Sequence, residues 1–364
     1  MPSLSSFPIS KRFFFAAMLS LTIGQSQAEL APDIAPGGNF ALENWRLDFP
    51  VEIGADGIAS IQPEQLSGPN GFVYSPWFFT SADGAMTMWA PVNGATAGGS
   101  SHPRNELREM IDPGNHEVNW DSSGNSILDA QLRILQVPSD GILIVGQVHG
   151  FEAAPLVLVY YRYDAAKQTG KLMTKLQGTP VLGPPYSQHV IASDIKLGQT
   201  FTYQIKVERQ PGGPATVSVS ANGGVPAQMV MDSSWDGVGM YFKAGSYLHV
   251  SGDSSSEGGL VKFYRLATSH PANGLLINTA SKLPNAQANI PYSAQLTFRG
   301  GVGGGTWSLV SGFPPKGLSL DPQGLISGTP LPSAVSAKDN DFMVRVRDAN
   351  GSTYSKKFSI VVNP

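Results

Sequence analysis

From Phe40 onward the chain alternates between apolar and polar positions. Runs such as "ILDAQLRILQV", "PLVLVYYRYD", "FTYQIKVER" and "TVSVSANG" put apolar residues at every second position or in brief continuous blocks. Successive side chains of a strand point to opposite faces, so period-two runs of this length predict strands. Gly, Pro, Asn and Asp cluster between the runs, and nothing between them keeps a helical period. The pattern predicts an all-β chain. A jelly-roll β-sandwich is expected over 29–268, a linker over 269–276 and a small immunoglobulin-like β-sandwich over 277–364. In the second unit Phe342–Arg347 and Tyr354–Val362 read as a hairpin around "DANG".

Three strands carry faces unlike an ordinary wet sheet. In "MYFKAGSYLHV" one face holds Tyr241, Lys243, Gly245, Tyr247 and His249, and the other holds Phe242, Ala244, Ser246 and Leu248. "HPRNELREM" puts Arg104, Glu106 and Arg108 together, with Asn105, Leu107 and Glu109 opposite. "GQVHG" pairs Gln147 with His149 and sets Val148 on the far side. A solvated sheet face ordinarily carries Thr, Ser, Lys and Glu. Three faces rich in Arg, Gln, His, Lys and Tyr point instead to one shared binding surface.

Composition narrows the setting. Gly 41 and Pro 28 are high and charged residues are only 14%, as befits many strands and turns. Lys11 and Arg12 precede the apolar "FFFAAMLSLTIG" and the small-residue "QSQA", the order of a signal peptide. A signal peptide is therefore expected over 1–28, with a secreted or periplasmic product, and no later stretch is long enough for a membrane span. Cysteine is absent, which removes disulfides, thiolate nucleophiles and thiolate metal sites. The net charge of −3 divides unevenly: 277–364 holds eight Lys and Arg against four Asp and Glu, a surplus of +4, and 29–276 carries −9. An acidic main segment argues against a nucleic-acid partner. His102, His116, His189 and His270 show no metal-ligand spacing. No metal or cofactor is expected, and a monomer is.

The chemistry follows from the side chains. Arg and amide groups bind carboxylates, and His with Tyr can exchange protons. Glu106 and Glu109 face opposite ways, so a two-carboxylate glycosidase is disfavoured. β-Elimination on a uronic acid fits better: neutralising the sugar carboxylate stabilises the enolate-like transition state after loss of the C5 proton. A non-catalytic lectin-like module, or a lyase for another polyuronate such as glucuronan, is the alternative.

"RNELREM", "QVH" and "YFKAGSYLH", in that order, resemble the three blocks of the alginate lyases of polysaccharide lyase family 7, and "FALENWRLDFP" resembles their opening strand. The resemblance runs from Phe40 to Leu266 and implies alginate as the partner. It implies that Arg104 and Gln147 neutralise the substrate carboxylate and that His149 is a base at C5. Tyr247 would be the acid at O4 and, on mannuronate, also the base. Glu106, Arg108, Tyr241, Lys243 and His249 would line or brace the subsites. Asn105 stands where the family has Ser or Thr, His249 where it has Gln, and Val148 where Val accompanies mannuronate preference. The tail resembles bacterial cadherin-like or immunoglobulin-like modules, which often act as spacers. On that reading its removal leaves cleavage of short oligomers intact.

Overall fold

A computed structural model describes residues 29–52, 58–96, 100–210, 212–270 and 275–364. The expected signal peptide, 1–28, lies outside the described residues. The first unit is built from β1 (Trp45–Glu52), β2 (Ile58–Ile61), β3 (Phe78–Thr80), β4 (Met86–Pro91), β5 (Arg104–Glu109), β6 (Asn125–Gln136), β7 (Ile142–Gly150) and β8 (Pro155–Asp164). It continues with β9 (Thr169–Gln177), β10 (Tyr186–Ile195), β11 (Thr200–Arg209), β12 (Ala215–Ala221), β13 (Ala227–Val230), β14 (Met240–Leu248) and β15 (Gly258–Ser269).

These strands form a jelly roll of two antiparallel sheets. One runs β10-β9-β8-β7-β14-β5-β1-β2 and the other β13-β12-β11-β6-β15-β4-β3. The apolar half of each alternating run fills the space between them. Leu107, Val148, Phe242, Ala244 and Leu248 come from the first sheet and Leu128, Leu132, Phe201, Ile205 and Phe263 from the second, all at most 1% exposed. Sheets buried on one face alternate in this way. Asn105 lies on the inner face, donating to the carbonyls of Trp77 and Trp89.

The second unit is an immunoglobulin-like domain. Its four-stranded sheet includes the expected hairpin, observed as Ser336–Arg347 paired with Thr353–Asn363. Of the linker stretch, 271–274 lie outside the described residues, Ser269 closes β15, and Leu276–Ile277 pair with Phe298–Arg299. The units are not beads on a string. Their buried apolar side chains form one connected core, with Leu275, Leu276 and Ile277 buried near the junction. Tyr354 donates to the carbonyl of Asn119 at 3.2 Å, Arg299 to that of Ile111 at 3.1 Å, and the Lys357 amide to that of Gly237 at 3.2 Å. Lys282 reaches Glu152 at 2.7 Å.

Candidate active site

The three polar faces are neighbours. β14 lies between β7 and β5, with Lys243 opposite Arg108 on one side and Gln147 on the other. Tyr247 stands opposite Arg104, and Tyr241 opposite His149. All of these side chains share the outer face of the eight-stranded sheet. The glycine in the row serves the backbone: a Cβ on Gly245 would sit 2.4 Å from the Asn105 carbonyl oxygen and 2.7 Å from the Glu106 Cα. The space it clears is therefore for strand β5. Between Ala244 and Tyr247 the register against β7 shifts, as at a β-bulge, a device that re-aims side chains.

Glu106 is the hub of the face. It is 0% exposed and accepts from Gln147 at 2.5 Å, from Lys243 at 2.7 Å and from Arg104 at 3.4 Å. So deep a carboxylate braces its neighbours and does not line a subsite. Lys243 also lies 3.5 Å from Asp48, and Arg46 lies 3.3 Å from the same carboxyl. Burial pushes Asp48 up, but Lys243, Arg46 and Arg104 outweigh it and hold the carboxyl below its usual range. Four cations, Arg46, Arg104, Arg108 and Lys243, thus face two carboxylates, Asp48 and Glu106. This leaves two positive charges in surplus on an acidic unit.

Arg104 lies with its guanidinium carbon 4.0 Å from the centre of the Tyr247 ring and donates to Ser100 Oγ at 2.5 Å. The same hydroxyl is 3.5 Å from the Tyr247 phenol oxygen. Arg108, 3% exposed, is stacked 3.9 Å over the Tyr241 ring and donates to the His116 carbonyl and Asn119 Oδ1. Burial lowers it to about 10, so it stays charged at neutral pH.

His149 stacks on Tyr241, ring centres 5.4 Å apart. Its Nδ1 is 2.7 Å from the Gly150 carbonyl. A carbonyl only accepts, so Nδ1 carries the proton and Nε2 keeps its lone pair. Burial brings the imidazole down to about 4, which leaves it neutral and able to take a proton.

His249 stands apart from this network. β14 ends at Leu248, and His249, 62% exposed, approaches Asp140 at 3.5 Å and the His102 ring at 5.8 Å. It is a rim residue, because the strand whose alternation would aim it inward has ended. Glu109 turns to the other side of β5 and pairs with His270 at 2.9 Å, so the face holds no Glu106–Glu109 couple. Sequence reading missed Asp48, Arg46, Ser100 and Asn119. For the first two a signal existed, since alternation in "WRLDF" puts Arg46 and Asp48 on one face.

The family described as alginate lyase matches residues 40–270, and an Ig-domain family matches 274–363.

The chain belongs to the alginate lyase family.

It is a polysaccharide lyase by that membership. Its catalytic unit is similar to the crystal structure of alginate lyase A1-II', a member of polysaccharide lyase family 7. Identity is 32%, the TM-score is 0.57, and the match covers 65% of this chain and 99% of that one. Alginate lyase PA1167 from Pseudomonas aeruginosa is 33% identical with a TM-score of 0.55, over 63% of this chain and 99% of its own. A doubly substituted A1-II' in complex with substrate (GGMG) matches at 32% identity and a TM-score of 0.58, over 66% and 98%. No curated protein sequence matches the lyase. These three structures are thus matched almost whole by about two thirds of this chain, which leaves a length like that of the immunoglobulin-like domain over.

Proposed function

We propose that the chain is an exported, monomeric lyase that depolymerises alginate by β-elimination, with preference for mannuronate-containing blocks. The observation that carries the reading is the cationic outer face, where Arg104, Lys243 and Gln147 converge on buried Glu106 beside a neutral His149. The order of charge, apolar run and small residues at the N-terminus supports export, and Val148 supports the mannuronate preference.

In the reaction, Arg104 and the second N–H of Gln147 take the uronate carboxylate. Neutralised, it accepts the electron density released when the C5 proton leaves. His149 Nε2 removes that proton where C5–H lies on its side, as for guluronate. On mannuronate Tyr247 removes it as the phenolate, becoming the phenol that then gives that proton to O4. The C4=C5 double bond forms as the C4–O4 bond breaks, and O4 leaves with a proton from Tyr247. Glu106 and Asp48 hold the cations in register without touching substrate.

The test is ultraviolet absorbance from unsaturated ends, with alginate blocks and glucuronan as substrates. Tyr247→Phe keeps the ring and removes the acid, so turnover falls by about two to four orders of magnitude, the usual scale for a general acid–base group. Oligomer binding changes little. Near-normal turnover of the variant on mannuronate removes Tyr247 from the mechanism.

A further inference from the structure

The immunoglobulin-like domain is joined to the active site by a chain of contacts. The segment after β5, residues 111–120, lies between the two. On one side Arg108 donates to the His116 carbonyl at 2.5 Å and to Asn119 Oδ1 at 2.9 Å. The Trp120 carbonyl accepts from the amide of Met240, the first residue of β14, at 2.6 Å. On the other side the Tyr354 phenol donates to the Asn119 carbonyl and Arg299 to the Ile111 carbonyl. Asn119 is 1% exposed and Tyr354 3%, so both ends of the Tyr354 hydrogen bond are shielded from water. Burial first, and then the Asp121 charge, hold the phenol protonated far above neutral pH, which keeps it a donor.

Arg108 in turn carries the Tyr241 ring, on which His149 stacks. From these contacts we infer that Tyr354 is a positioning residue for the lyase site. It fixes Asn119, and through it Arg108 and the Tyr241 wall of the sugar-binding face. The immunoglobulin-like domain is then a buttress of the active site and not a spacer. A buried carbonyl left without its donor seeks another partner, and here that search shifts the side chain that holds Arg108. Tyr247, Arg104 and Ser100 lie toward the other end of β14, outside this chain of contacts. On mannuronate, where Tyr247 is both base and acid, the effect therefore falls on substrate binding more than on turnover. The inference rests on the proposed lyase reading.

Full-length wild type, Tyr354→Phe, Arg108→Lys and the double variant are compared on short mannuronate oligomers. If wild type forms no unsaturated ends, the lyase reading fails before the inference is reached. With wild type active, Tyr354→Phe is expected to raise KM about threefold to tenfold and to change kcat less than about twofold, on the scale of one coupled contact. In the Arg108→Lys background the same substitution should add less than about twofold, because the route through Arg108 is already broken. Amide hydrogen exchange should quicken at 115–120 and stay unchanged in β6 and β11. Loss of stability alone lowers the active fraction and leaves KM in place. An unchanged KM for Tyr354→Phe, or a full KM effect in the Arg108→Lys background, overturns the inference. So does an exchange increase spread evenly over the chain.

Discussion

At the scale of single residues, the protonation of His149 has the most to say. Folded, it titrates near pH 4 because it is buried. Unfolded, it returns to about 6.5. Between those values the unfolded chain binds the extra proton, so its contribution lowers stability as pH falls from about 6.5 to about 4 and levels off below. Activity follows the folded value. On guluronate-rich oligomers kcat/KM, which reports free-enzyme groups, should hold down to about pH 5, with its acid limb from His149 near 4. A limb near 6.5 would show an imidazole freely hydrated and not packed on Tyr241. Replacing His149 with Ala should cost more on guluronate than on mannuronate, where Tyr247 serves as base. Equal losses on the two pure blocks confine His149 to holding the carboxylate.

At the scale of strands, the site depends on how closely β14 and β5 approach. Gly245→Ala sets a Cβ 2.4 Å from the Asn105 carbonyl oxygen, a backbone atom that no rotamer change relieves. Overpacking of this kind costs about 1–3 kcal/mol. The melting temperature should fall by several degrees, and kcat/KM by more than about tenfold, because Glu106 and Arg104 ride on β5, and pushing β5 from β14 pulls Glu106 away from Lys243 and Gln147. Calorimetry with oligomer kinetics checks both, and unchanged values mean the strands separate without effect. This scale also shows how far the sequence could be read. Alternation put Arg104, Glu106 and Arg108 on one face, and Gln147 with His149, because period two follows from backbone geometry alone. It did not show that Glu106 is sealed beneath its neighbours, since that depends on β14 entering between β5 and β7. His249 was read one step too far because alternation carries no mark of where a strand stops. The roles of Ser100 and Asn119 depend on loops, whose paths no periodicity encodes.

At the scale of the whole molecule, charge is arranged against its average. The main segment is −9, yet its outer face carries a surplus of two positive charges, and the appended domain is +4. A polyanion meets attraction at the face and repulsion around it. Salt screens exposed charges over about 10 Å at 0.1 M and screens buried contacts less. KM for long alginate should therefore change severalfold with ionic strength, while kcat on short oligomers stays within about twofold. A strong salt effect on oligomer kcat would place the essential cations in the open.

The strand order has a further consequence, for how the chain acquires its site. β14, the middle strand of the active face, comes late in the chain and inserts between β5 and β7, which precede it. β6 likewise waits for β15. Contacts so distant in sequence make folding slow, and until β14 arrives β5 and β7 expose unpaired edges toward each other. The reactive surface thus cannot close before β14 is in place. A chain cut short before Met240 would therefore carry Arg104, Gln147 and His149 without the strand that joins them, and should be inactive.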